Sequence, residues 1–245
     1  MGCRFGCLLG CLHAGLVGQL GAHLSKLKRE GLNVADGFIL PIGFELVDGM
    51  TNEIIRGFDR INANRNRGRN IKEETTAILR PSYMDENHDS EVLRDVARHE
   101  LIDAVKYLQK NSMRRGRRLA IVVQNDLFAE TSGTVHSINP ATKDTNEVLI
   151  EANLWMNDTV LGGESEPDMI LIDKNTGATS LESEEEAEIC LEPEQIHELY
   201  TLVRRMEKRL GYPISLDWAY DRGVLYILRA RKLDEARLEN YRYED

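Results

Sequence analysis

Ser215-Leu216-Asp217-Trp218-Ala219-Tyr220-Asp221-Arg222-Gly223-Val224-Leu225-Tyr226-Ile227-Leu228-Arg229-Ala230-Arg231 alternates large apolar residues with small or charged ones before an Asp-Arg-Gly turn and continues after it as an apolar run that ends in Arg-Ala-Arg. Such alternation puts successive side chains on opposite faces. It predicts strands at Ile214–Ala219 and Val224–Leu228, joined as a hairpin through Tyr220-Asp221-Arg222-Gly223. Ser215 and Asp217 then share one face of the first strand, and Arg229 and Arg231 share one face of the second.

Upstream of the hairpin, Pro193 opens a helix whose apolar positions Ile196, Leu199, Tyr200, Val203, Met206 and Leu210 follow helical spacing, and Gly211 closes it. Before that helix the pattern is strand-like again, at Leu119–Val123, Gly133–Ile138, Glu147–Ala152 and Met169–Ile172, with Asn-Pro, Lys-Asp and Asn-Thr-Gly turn signals between. Strands at short spacing without helices between them imply an antiparallel sheet. In the N-terminal half, Leu20, Leu24 and Leu27 lie on one face of a helix running to about Glu30, with Gly31 placed to end it. Gly37–Leu40 reads as a buried strand stopped by Pro41, Asn62–Asn70 as a polar loop, and Thr76–Leu79 as a further strand. Asp89 or Ser90 is placed to cap a long helix carrying Leu93, Val96, Leu101, Val105 and Leu108. The class is α+β.

The chain has 245 residues and a formal net charge of −10, with no long uninterrupted apolar run to suggest a membrane span. Cytoplasm is the expected location. The acidity is concentrated: eight glutamates fall between Glu182 and Glu198 without a basic residue among them. Two basic patches, Arg60 to Lys72 and Arg114 to Arg118, lack interleaved aromatics and read as solvated loops, so nucleic acid is disfavoured as a partner. Cys3, Cys7 and Cys11 at four-residue spacing, with Cys190 far away, form neither a disulfide framework nor a paired zinc motif.

Several segments in order carry a family resemblance: Gly21-Ala22-His23-Leu24, Glu30-Gly31-Leu32-Asn33-Val34-Ala35-Asp36-Gly37-Phe38, Val122-Val123-Gln124, Ser132 to Asp144, Pro167-Asp168, and the closing hairpin. Together they resemble the N-terminal nucleotide-binding domain of phosphoenolpyruvate synthase and pyruvate phosphate dikinase, a module also found in rifampin phosphotransferases. The resemblance runs from about residue 17 to 232. It implies an ATP-grasp-like two-lobed domain in which ATP and Mg2+ lie between the lobes, and a phosphoryl group passes to a histidine on a separate domain. The expected divisions are an N-terminal segment 1–16, an N-terminal lobe 17–118, a C-terminal lobe 119–232 and a charged tail 233–245.

Carried over residue by residue, the resemblance implies Arg80 as a phosphate contact followed by the acidic pair Asp85-Glu86. Gln124, Asn125, Asp126 and Leu127 stand at the adenine hinge, Asp217 at a magnesium position, and Arg229 and Arg231 at the catalytic strand. The departures are specific. Leu20 stands where the family has a nucleotide-contacting lysine, Pro81 replaces a serine, Ser215 replaces a metal carboxylate, and Arg229 replaces a glutamine. The Gly-Leu-Gly-Glu turn becomes Trp155-Met156-Asn157-Asp158, and no glycine-rich loop follows the acidic pair. Asp217 opposite Arg229 is open to two readings, a magnesium ligand or half of a cross-strand ion pair. His136 reads as a packed strand residue. Two functions follow: a divergent ATP-binding domain that passes phosphate to a partner protein supplying the carrier or substrate domain, or an inactive scaffold that kept the fold.

Overall fold

The computed structural model describes residues 7–8, 14–47, 49–65, 75–84, 91–114, 116–154, 167–182 and 189–241. In chain order the elements are β1 (Cys7–Leu8), α1 (Ala14–Arg29), β2 (Gly37–Leu40), α2 (Met50–Arg65), β3 (Ala77–Ser82), β4 (Leu93–Val96), α3 (Leu101–Arg114), β5 (Ala120–Asn125) and β6 (Thr131–His136). They continue as β7 (Glu147–Leu154), β8 (Asp168–Asp173), β9 (Thr179–Glu182), α4 (Pro193–Leu210), β10 (Ile214–Asp221), β11 (Val224–Lys232) and α5 (Glu235–Asn240). The strands form two antiparallel sheets, ordered β1-β2-β5-β3-β4 and β11-β10-β6-β7-β8-β9. The α+β class and the C-terminal antiparallel sheet are as the sequence predicts.

The chain divides into two compact units, Met1–Leu127 and Phe128–Asp245. In the first, Phe38, Leu40, Leu79, Ile121 and Val123 project from one sheet face onto Ile54, Phe58 and Ile61 of α2 and Leu101, Val105 and Leu108 of α3. The other face carries α1. Gly18, at φ 67, interrupts the helix, and its missing side chain lets the backbone meet Ser82, whose carbonyl oxygen would lie 2.4 Å from a Cβ. The Ser82 hydroxyl donates to the Val17 carbonyl (2.7 Å) and accepts from the Gly21 N–H (3.0 Å). In the second unit Leu216, Trp218 and Tyr220 of β10 lie on the face covered by α4, where the Tyr220 hydroxyl donates to Glu198 (2.8 Å). Helix α4 starts with a capping box of Glu192 and Gln195 around Pro193 and stops at Gly211 in the left-handed conformation, φ 77.

Three expectations are corrected. Leu93–Val96 is not the start of a helix but an edge strand paired with β3, and the helix begins only at Leu101. Ala120–Asn125, expected to open the C-terminal lobe, pairs with β2 and β3 inside the first unit. Met50–Arg65 is a helix that extends into the expected polar loop; its apolar positions Met50, Ile54, Phe58 and Ile61 have helical spacing. The helix to Arg29, the strands at Gly37–Leu40 and Ala77–Ser82, helix α4 and the closing hairpin agree with the reading. Arg222 and Gly223, both at positive φ (56° and 70°), make the hairpin turn.

Gly133 sits where β6 runs between β7 and β10, and a Cβ there would lie 1.9 Å from the Glu151 carbonyl oxygen and 3.0 Å from the Trp218 ring. The obstacle is main chain and cannot rotate away. Gly133→Ala is therefore expected to lose at least ~2 kcal/mol in urea denaturation, in the range of severe overpacking; a loss under ~0.5 kcal/mol contradicts this packing.

Candidate functional site

The second unit's sheet has two unlike faces. The face opposite α4 gathers Thr134 and His136 of β6, Glu151 of β7, Ser215 and Asp217 of β10, and Arg229 and Arg231 of β11, because each of these shares the outward register. Asp217 pairs by backbone register with Arg229, but its ion pair is with Arg231, two residues along β11. Of its two carboxylate oxygens, Oδ2 receives the Arg231 guanidinium and Oδ1 receives the Thr134 hydroxyl at 3.3 Å. Both side chains keep partial solvent access, and Arg229 is exposed at the outer strand.

Beside this pair His136, 5% exposed, has Nε2 3.1 Å from Glu151 Oε2, while its buried Nδ1 makes no hydrogen bond. Tyr241, just after α5, donates its hydroxyl to the other Glu151 oxygen and sets its ring edge-on to the imidazole at 5.5 Å. Burial alone would raise the Glu151 carboxyl. The His136 and Tyr241 hydrogen bonds and the Arg231 charge outweigh it and hold Glu151 below the ordinary glutamate range. Sequence reading took His136 as a packed residue and gave Glu151 and Tyr241 no role. A strand-parity match of His136 and Glu151 with Asp217 was the available signal, whereas Tyr241 is brought in by the turn of α5.

In the first unit Arg80 lies half-buried on β3, opposite Val122 of β5. Pro81 falls beyond the last β3–β4 pair, Leu79–Leu93, so its missing N–H costs that edge nothing. The expected hinge Gln124–Leu127 is buried and committed within its own unit. Gln124 Nε2 donates to the Ala35 carbonyl (3.0 Å) and Asn125 Nδ2 to the Ile61 carbonyl (3.1 Å). The N–H groups of Asn125 and Asp126 donate to the carbonyls of Asp36 (2.9 Å) and Thr76 (3.1 Å).

Asp126 is a clamp for β4. It accepts from the Asp95 N–H at 2.9 Å and from Arg94 at 3.3 Å, and so holds Asp95 at φ 52, a conformation unusual for a residue with a side chain. Burial pushes the Asp126 carboxyl above the ordinary aspartate range, although the Asp95 N–H, the Arg94 charge and the Leu127 N–H pull it down. At Gly18–Gly21, the Gln19 N–H donates to the Tyr83 carbonyl (2.7 Å), so this helix start spends its donors on the end of β3 rather than on an anion. Leu20 occupies the lysine position there. Asp85-Glu86, His88, Trp155 to Asp158, Cys3, Cys11 and Glu184, Glu185, Glu186 and Glu188 of the acidic stretch lie outside the described residues.

A magnesium ion asks for oxygen ligands in near-octahedral array, usually with one or two free carboxylates. Asp217 has both oxygens engaged, Ser215 replaces its expected carboxylate companion, and among the described residues no group of three acidic, histidine or cysteine side chains converges. The described residues thus offer the ion a single, already engaged carboxylate at Asp217, which also orients Arg231. Nor, among the described residues, is any helix long and apolar enough to cross a membrane.

Comparison with known proteins bears out the resemblance read from the sequence. Residues 86–181 match the family model for the pyruvate phosphate dikinase AMP/ATP-binding domain. The uncharacterized phosphotransferase YvkC of Bacillus subtilis (strain 168) is 29% identical over 136 residues, 47% of this chain and 16% of that protein. A probable phosphoenolpyruvate synthase of Methanocaldococcus jannaschii is 28% identical over 138 residues, again 47% of this chain but 12% of the relative. The matched region thus spans under a fifth of these relatives' length. Among solved structures, D-alanine–D-alanine ligase from Bacillus anthracis complexed with ATP aligns at 12% identity with a TM-score of 0.47, covering 91% of this chain and 57% of that one.

The two shifted carboxyls predict opposite pH dependences. Asp126 holds its proton to higher pH when folded than when unfolded. Its contribution to stability is complete below the unfolded value of ~3.9 and is lost as pH rises through the folded value. Glu151 contributes stability above its unfolded value of ~4.3, and this is lost as pH falls through the depressed folded value. Between about pH 3 and 7, urea denaturation should show Asp126→Asn gaining on the wild type as pH rises and Glu151→Gln falling behind it. Slopes of equal sign for both variants contradict these assignments.

Proposed function

We propose that this chain is a divergent nucleotide-binding module of the phosphotransfer type, which receives ATP's phosphates on arginines and passes a phosphoryl group to an acceptor on a partner protein. The observation that carries the reading is the match of residues 86–181 to an AMP/ATP-binding domain, in a chain whose second unit presents Arg229 and Arg231 on one sheet face. Arginine suits the role because its planar fork binds phosphate oxygens two at a time and stays charged at any relevant pH.

In this reading Arg231 is held in position by Asp217, and Arg229, exposed at the neighbouring register position, adds a second cation. Phosphate charge is met by guanidinium groups. A second reading, an inactive scaffold, draws on the same ion pair: Asp217 and Arg231 neutralise each other, and Leu20 offers no charge to a nucleotide.

Calorimetric titration with ATP separates the two. Sub-millimolar binding is expected, weakened at least about tenfold by Arg231→Gln, as loss of one charge-assisted hydrogen bond of ~1.5–3 kcal/mol requires. Chelating magnesium should change the affinity by less than about threefold, well within one such bond. No heat at millimolar ATP, together with an unchanged melting temperature, establishes the scaffold reading instead.

A further inference from the structure

Away from the arginine face, the first unit contains a cavity of about 260 Å³ between β2 and α2. Its floor is apolar, built from Phe38, Leu40 and Ile54, and its rim carries Glu53, Arg56 and Arg60. Gly57 lets α2 approach β2 closely: a Cβ there would stand 2.9 Å from the Phe38 ring, so the helix cannot carry a larger residue at this turn without moving the floor. The volume is room for roughly eight or nine waters at ~30 Å³ each, or for one small organic molecule, slightly under the range of drug-sized sites.

Arg56 and Arg60 are one helical turn apart and both exposed, and neither makes a hydrogen bond or ion pair among the described residues. Lys28, Arg98 and Lys106 of the same unit do have partners, Asp36 at 2.6 Å, Asp59 at 2.7 Å and Asp103 at 3.0 Å. Like charges at four-residue spacing repel, and an anion between them removes that repulsion. Water lying on Phe38, Leu40 and Ile54 meets apolar surface it cannot bond, which favours its replacement there by an apolar group, while the rest of the lining is polar.

From the apolar floor and the paired guanidinium rim we infer that this cavity is a binding site for a small amphipathic anion, one or two rings or a short branched chain ending in a carboxylate, sulfonate or phosphate. The apolar part lies on Phe38, Leu40 and Ile54, and the anionic end meets Arg56 and Arg60, with Glu53 discriminating against longer polyanions. The site lies wholly within the first unit and does not depend on the nucleotide reading.

The test is a calorimetric titration of the full chain with 1-naphthalenesulfonate, repeated with Arg56→Gln/Arg60→Gln, with the neutral 1-naphthalenemethanol and in saturating ATP. Saturable binding is expected, weakened at least about tenfold by the double variant and by loss of the sulfonate charge, and unchanged by ATP. The two arginines are exposed, so the variant should melt as the wild type does. Absence of saturable binding, equal affinity of the double variant or of the alcohol, or displacement of the probe by ATP overturns the proposal.

Discussion

The alternation of β10 is the constraint on which the second unit depends. Leu216, Trp218 and Tyr220 are fully or almost fully buried on the α4 side, while Ser215 and Asp217 lie on the opposite face with the arginines of β11. A slip of one residue would exchange core for site, moving an aspartate beneath α4 and a tryptophan onto the polar face. Two features fix the register against that slip. The Arg222-Gly223 turn sets the β10–β11 pairing, and Gly133, opposite Trp218 on β6, leaves the space in which the indole lies. Packing and chemistry are therefore not separable here: the residue pattern that builds the core also delivers Asp217 and Arg231 to the same surface.

That surface is electrostatically self-contained. Thr134 and Arg231 each engage one oxygen of Asp217, and His136 and Tyr241 each engage one oxygen of Glu151, whose charge in turn faces Arg231. A ligand that needs Arg231 must therefore compete with a pair that already exists, so the cost of opening it is part of the affinity. Phosphate oxygens can meet that cost at an arginine. The first unit follows the same pattern, with its hinge donors and Asp126 engaged in holding β2, β3 and β4 together. Residues expected by resemblance at the hinge thus also hold the first unit's sheet together.

The parts legible in the sequence were those where local pattern and tertiary demand agree. Helix α4 carries its cap, its apolar stripe and its glycine stop in one continuous stretch, and the closing hairpin carries both period and turn. Leu93–Val96 misled because apolar residues at positions 93, 96, 101, 105 and 108 fit one helical face; the decisive influence is Asp126, distant in sequence, which fixes Asp95 in a non-helical conformation. Strand β5 was assigned to the wrong half because its six buried residues have no alternation to show which sheet they join. The ion pair of Asp217 was foreseeable in kind but not in partner, since register places Arg229 opposite while the longer diagonal reach brings in Arg231.

The proposed function places the nucleotide on the arginine-bearing face of the second unit. Backbone amide chemical shifts, followed as a non-hydrolysable ATP analogue is added, test this at each position. Saturable shifts are expected at Thr134, Asp217, Arg229 and Arg231 with little change along α4. Saturable shifts confined to other surfaces, or none at millimolar analogue, would contradict it.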